Sequence, residues 1–394
     1  MKKILKVFKV ISTIIGAAIL IFFFVGIFIW GLDFEPIEYE RNNLVSSKNL
    51  ANEGPFIFEK DSIYEIKYIQ GTEENGYDVE QKQISKTGNP ELSAYYYLDN
   101  SSFSFVLKDS LINEPYRYES VEKIIAISDI ESKYKTLRDF LINNKVIDKN
   151  LNWIFGNGHL VLNGDFIDRD YFATQVLWFI YKLEQEAEKA GGKVHFILGN
   201  HEIMNIQGNH KYAKYKYETV ARVLGVKQHQ LYDTTTYLGK WLKTKNIVEQ
   251  IGNYTFVHAG ISPEIVENKI TISEMNQIAR NNYAIPYYSK KDRPLREKLI
   301  LSGQTSPYWY RGYFDELEQE KIDKILKFYQ TSNIIVGHTI QDEVHRLSNG
   351  KIIGIDVAQP KGYTKYFPKV ESQGLLIENN KFHRINNQGK QTEI

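Results

Sequence analysis

The chain has 394 residues, 42% of them apolar and 25% charged, enough for one large domain plus something smaller, or for two domains. Lys and Arg number 49 against 48 Asp and Glu, so no basic excess argues for nucleic acid as a partner. Cysteine is absent, which excludes disulfides and thiolate sites and leaves oxygen and nitrogen as metal ligands.

Residues 1–10 carry Lys2, Lys3, Lys6 and Lys9, and Ile11–Trp30 follows as an uncharged run long enough to cross a bilayer as a helix. Asp33, Glu35 and Glu38 come next. This charge order predicts a single-pass membrane anchor with a cytoplasmic N-terminus and an extracytoplasmic remainder. The competing reading is a cleaved signal peptide. The run is long, aromatic at its end and followed by no small-x-small cleavage site, which favours the anchor. Residues 31–120 read as a juxtamembrane link and a small β-rich unit. Strands are expected at Ile63–Ile69, Ser93–Leu98 and Phe103–Leu107, separated by Gly71, Gly76, Gly88-Asn89-Pro90 and Asp99-Asn100. They form either a separate unit or an extension of the main sheet.

The main domain, 121–394, opens with an apolar strand, Lys123–Ile127, that runs into Asp129 and Glu131. Ser132 is positioned to cap a helix ending near Asn143, with Tyr134, Leu137, Phe140 and Leu141 on one face. A second strand ends at Asn163-Gly164-Asp165, followed by Asp168, Arg169 and an amphipathic stretch, Tyr171–Ala190, closed by Gly191-Gly192. A third, Lys193–Leu198, ends at Gly199-Asn200-His201-Glu202. From Met204 to Glu249 the pattern reads as a mainly helical insertion beside the site. Tyr254–Val257 ends at His258, and Asn333–Val336 ends at Gly337-His338. Helices are expected at Ile272–Ala279 and Glu316–Tyr329. The tail segments Lys351–Asp356 and Gly374–Glu378 read as paired strands closing the sheet. Strands alternating with helices predict a layered α/β fold, largely parallel at its centre.

Five strand ends thus carry carboxylates, an amide and imidazoles. Any one of these histidines alone reads more readily as a hydrogen-bonded core residue. Five such strand ends together, at one sheet edge, suit a pair of divalent ions. Gly164–Arg169, Gly199–Glu202, Val257–Gly260 and Gly337-His338 resemble, in that order, the motif series of the calcineurin-like metallophosphoesterases. The Asp168-Arg169 pair and Asn200-His201-Glu202 resemble the serine/threonine protein phosphatase branch. Met204-Asn205 and Trp309-Tyr310-Arg311-Gly312 are similar to its bacterial Shewanella-like phosphatases.

The resemblance implies a metallophosphoesterase sandwich, with central β-sheets flanked by helices, over Lys123 to about Asn379. It implies a metal set of Asp129, Glu131, Asp165, Asn200, His258 and His338, with Asp165 bridging two divalent ions, Mn or Fe among them. His201, steadied by Asp168, is implied to protonate the leaving oxygen, while Arg169, Arg311 and Asn200 hold the substrate phosphate. The implied partner is a phosphorylated substrate, phosphoprotein first. Two motifs depart from the pattern. Asp-x-His-Gly is here Asp129-Ile130-Glu131-Ser132, and the Gly after Asp-Arg is Asp170. Glu131 is expected to ligate as an oxygen donor, favouring hard ions such as Mn, Mg or Fe(II). Glu202 is expected to orient a ligand; Asp356 also sits at a strand end but is not counted among the site residues. The rival functions are a phosphodiesterase or nucleotide hydrolase using the same metals, and a non-catalytic binding module with a degenerate site.

Overall fold

The computed structural model describes residues 8, 11–19, 21, 37–39, 45, 46, 48–286, 292–301, 303–315 and 317–394. The chain divides into two units. One comprises residues 1–39 and 365–370, in which Ile37–Tyr39 pairs antiparallel with Lys365–Phe367. Residues 11–19 and 21 of the expected anchor are helical and exposed; the rest of that run lies outside the described residues. Among the described residues, no helix is long and apolar enough to cross a membrane.

The second unit holds residues 40–364 and 371–394. Its centre is two six-stranded sheets. In the first, Lys193–Phe196, His159–Leu162 and Lys123–Ile127 run parallel, and Gln373–Glu378, Lys381–Asn386 and Gln391–Glu393 extend it antiparallel. In the second, Tyr254–Val257, Asn333–Val336 and Ile352–Gly354 run parallel, flanked by Val248–Ile251 with Arg117–Tyr118 on one side and by His345–Leu347 on the other. Alternate side chains of both sheets, Ile124, Ala126, Val161, Phe256, Ile335 and Ile353 among them, share one buried apolar cluster. The intervening residues, such as Ile125, Ile127, Ile334 and Val336, belong to the larger cluster that takes in the helices. Two sheets between helical layers is the expected sandwich.

The tail strands are a correction. Ile352–Gly354 pairs with Asn333–Val336 in one sheet, while Gln373–Glu378 pairs with Lys123–Ile127 in the other. They are not partners. Both are near-continuous apolar runs, and such runs do not reveal which neighbour they choose. Ser132 is a second correction: its backbone is left-handed at φ 64°, its hydroxyl has no partner, and Lys133 caps the helix Tyr134–Asn143 without a side-chain bond.

Residues 53–106 form a three-stranded meander, Glu53–Lys60, Ile63–Thr72 and Gly76–Ser85, and a hairpin, Glu91–Tyr96 with Ser101–Val106. Neither joins a main sheet. They pack instead on the helix Ala173–Lys189: Phe105 stacks on Trp178 with centroids 4.5 Å apart, and the Trp178 indole donates to the Pro55 carbonyl at 2.9 Å. Gly76–Ser85 escapes sequence detection because it is mostly polar and exposed. A buried ion pair ties the meander to the insertion. Lys216 on the helix Tyr215–Leu224 meets Glu53 at 2.7 Å with both side chains 1% exposed, and Thr174 and Gln175 donate to the same carboxylate. Breaking one side of such a pair costs about 3–5 kcal/mol because the other charge is left buried. Lys216→Met is expected to lower unfolding stability by about that amount, and Glu53→Leu with Lys216→Met to recover most of it, read by chemical denaturation.

Candidate metal and phosphate site

The strands end together. Ile127 is level with Leu162 and Phe196 in one sheet, and Val257 with Val336 and Gly354 in the other. The loops beyond them stay bonded to one another, through Asp129 N to Gly164 O, Glu131 N to Asp165 O and Gly337 N to His258 O. These loops hold Asp129, Glu131, Ser132, Asp165, Asp168, Arg169 and His338 at left-handed φ between 51° and 71°. Non-glycine residues adopt that conformation at a cost, and its clustering marks a functional site. Two glycines make room. A Cβ on Gly199 would lie 2.2 Å from Asp165 Oδ1, and one on Gly164 2.4 Å from His258 Nδ1.

Asp165, His258 and His338 offer ligand atoms all within 4.8 Å of one another, and all three residues are buried. His258 Nδ1 lies 2.9 Å from the Asn163 carbonyl, which accepts its proton. Its Nε2 then faces two oxygens, Asn200 Oδ1 at 3.0 Å and Asp165 Oδ2 at 3.2 Å. His338 Nε2 is buried with no partner among the described residues. Lone pairs converging without a donor call for a cation. A proton is one answer: burial opposes it, but Asp165 raises His258 to about 10. Burial and His258 together push His338 down to about 2, leaving its nitrogen free to ligate. The donor set therefore fits a divalent ion.

Asp129 stands beside this group. Its Oδ2 accepts from Ser128 Oγ and, at 3.2 Å, from the His338 backbone N–H. Burial pushes its carboxyl up to about 7. Glu131 is turned elsewhere: Oε1 lies 2.5 Å from Arg169 Nε and Oε2 2.8 Å from Lys133 Nζ. Glu202 accepts from the backbone N–H groups of Asp165, Phe166 and Gly199, so it shapes the loop under the ligand.

His201 Nδ1 lies 2.8 Å from Asp168 Oδ2, and the other Asp168 oxygen accepts from Asn205 at 2.8 Å. Asp168 thus holds the Nδ1 proton and aims Nε2 at the site, where Asp165 Oδ2 is 3.7 Å away. Burial works against a charged ring, but Asp165 and then Asp168 raise His201 to about 9. Arg169 also lies 4.8 Å from the Tyr212 ring, and that ring is 5.0 Å from His201. Arg311 donates to the His338 carbonyl at 3.1 Å and to Thr339 at 3.0 Å. Asp129, Asp165, Asn200, His201, Arg169 and Arg311 line one cavity of about 410 Å³, together with Glu131, His338, Tyr212, Trp309 and Asp356. His258 lies beneath the cavity wall, fully buried.

Sequence reasoning passed over several of these. Asn163 carried a signal, a polar residue closing an apolar strand. Asn205 carried a weaker one, four residues from His201 on one helix face. Tyr212 and Lys133 had none, because only the folded insertion and the left-handed loop bring them in. Asp170, the residue standing where glycine was expected, is fully buried and accepts from the Tyr363 hydroxyl and the Tyr171 N–H.

The Asp168 carboxylate favours the protonated imidazole, so its neutralisation lowers the His201 pKa. In metal-stripped protein, an NMR titration of His201 is expected to move to lower pH in Asp168→Asn, with the backbone spectrum otherwise retained; an unmoved midpoint means Asp168 does not set this charge.

Residues 122–342 match the model of the family described as calcineurin-like phosphoesterase. The chain is 30% identical to a cold-active protein-tyrosine phosphatase from a psychrophilic Shewanella. That match covers 86% of this chain and 98% of the Shewanella crystal structure, with a TM-score of 0.76. It is also 30% identical to Shewanella-like protein phosphatase 1 of Plasmodium berghei, over 57% of this chain and 64%, just under two thirds, of that protein. Shewanella-like protein phosphatase 2 of Arabidopsis thaliana is 27% identical over 64% of this chain and 75% of its own length. The chain belongs to the calcineurin-like phosphoesterase family of hydrolases.

Proposed function

We propose that the protein is a metal-dependent phosphatase that hydrolyses phosphomonoesters, phosphoprotein side chains among them. One observation carries this reading: His201, held by Asp168, and two guanidinium groups line the same cavity as Asp165 and His338, with His258 beneath its wall. Asp129, Asp165, Asn200, His258 and His338 would hold two divalent ions. Such ions supply Lewis acidity toward phosphate oxygens and acidify water to a usable nucleophile.

The remaining steps fall to side chains. Arg169 and Arg311 bind the phosphate oxygens and orient the ester for in-line attack. His201 enters with a proton on each ring nitrogen. It keeps the Nδ1 proton, donated as a hydrogen bond to Asp168, and gives the Nε2 proton to the departing oxygen, because an alkoxide leaves poorly without one. Tyr212 backs the imidazole and excludes water from that side. A tyrosyl ester has specific support as substrate: Tyr212 and Trp309 offer aromatic walls to an aryl group, and the Shewanella relative is described as a protein-tyrosine phosphatase.

His201→Gln is expected to lower kcat on an alkyl phosphate by about 10²–10⁴ and on p-nitrophenyl phosphate by far less, since nitrophenolate leaves without a proton. Equal losses on both would remove His201 from the acid role. Comparing phosphotyrosyl, phosphoseryl, nucleotide and bis-aryl phosphate substrates separates phosphomonoesterase from diesterase. A wild-type protein no faster than His201→Gln on all of them, with excess Mn²⁺, would instead support a binding module.

The location proposed is a membrane, with residues 1–10 cytoplasmic and the hydrolase extracytoplasmic. Its support is the uncharged run Ile11–Trp30 behind four lysines. The protein is expected to resist carbonate extraction, and its C-terminal region to be digested by protease added outside intact cells.

A further inference from the structure

We infer that Asp356 ligates the first metal ion beside Asp129 and Asp165, while Glu131 serves as the positioning residue that aims Arg169. This rests on the two-cation reading above. It concerns the one ligand position at which the chain departs from the Asp-x-His pattern.

Glu131 is fully engaged. Each of its oxygens meets a different cation, Arg169 Nε at 2.5 Å and Lys133 Nζ at 2.8 Å. Lys133 is only 9% exposed and has no other ion pair among the described residues. Turning Glu131 toward a metal would strand that ammonium in a buried place. It would also release Arg169, whose side chain is half exposed and, among the described residues, otherwise interacts only with the Tyr212 ring.

Asp356 is the opposite case. It is 6% exposed, it lines the cavity with Asp129 and Asp165, and its carboxylate has neither an ion pair nor a hydrogen bond among the described residues. A buried carboxylate without a donor is unfavourable unless a cation answers it. The charges acting on it most are Asp129 and then Glu131, both of its own sign. Sheet register places it. Val336 is level with Gly354, so Asp356 lies two residues past its strand end, as His338 does on the neighbouring strand and Asp129 does after Ile127. The Ile355 N–H still donates to the Val336 carbonyl, holding the two strands together up to that level.

The first position then has oxygen ligands only, Asp129, Asp165 and Asp356, whereas the second also draws on His258 and His338. Hard ions prefer such an oxygen set, so the first position is expected to select Mn²⁺ or Mg²⁺ over Zn²⁺.

The test uses the full chain in detergent, stripped of metal and titrated with Mn²⁺ by calorimetry and electron paramagnetic resonance. Wild type is expected to bind two ions and give the signal of a spin-coupled pair. Asp356→Asn, nearly the same shape, is expected to weaken one of the two ions at least tenfold and to lose the coupled signal. It is also expected to unfold at a higher temperature than wild type when metal-free, because a buried carboxyl whose ionisation is opposed by burial, Asp129 and Glu131 has been removed. Glu131→Gln is expected to keep both ions and the coupled signal, with KM raised at least fivefold and kcat changed less. Two ions bound at wild-type affinity in Asp356→Asn would overturn the assignment, as would loss of an ion in Glu131→Gln. A wild-type chain that binds a single ion would overturn the two-cation reading itself, and the assignment with it.

Discussion

Asn163 is the point at which the two sheets become one site. Its side-chain amide donates to the carbonyl of Val257 at 3.0 Å and faces that of Ile335 at 3.4 Å, both on the opposite sheet. Its own carbonyl accepts from Ser128 Oγ and from His258 Nδ1. One buried residue therefore sets the spacing of the sheets, supports the loop that carries Asp129, and selects the His258 tautomer that leaves Nε2 facing Asn200 and Asp165. In a dry interior each of these bonds is expensive to leave unmade, so the arrangement is held as a unit.

Around that stitch the loops are held in conformations they would not choose alone. Left-handed backbone at Asp129, Asp165, Asp168 and His338 points short side chains inward from several strands at once. Backbone bonds between neighbouring loops, together with Glu202 beneath the Asp165 loop, supply the opposing stabilisation. The outcome is a preorganised set of charges, which is where the electrostatic part of such catalysis arises.

The meander and hairpin of residues 53–106 reach the site indirectly. The buried Glu53–Lys216 pair anchors the helix Tyr215–Leu224, which begins three residues after Tyr212. Tyr212 accepts the Arg169 N–H on its carbonyl and presents its ring to the Arg169 guanidinium. The arm thus fixes the wall behind Arg169.

Apolar strands running into Gly-Asp, Asn-His and Gly-His were legible from the residues alone, because strand period and turn chemistry are local properties. The convergence of Asp129, Asp165, Asn200, His258 and His338 followed from those strand ends and the motif order. What tertiary structure decided depends on long-range pairing: which sheet each tail strand joins, which cations claim Glu131, and the approach of Tyr212 from an insertion without clear periodicity. Asp356 shows the division most plainly. In the sequence it is one more carboxylate after an apolar run, whereas the register with His338 and the absence of a partner among the described residues, both visible only in the fold, set it apart.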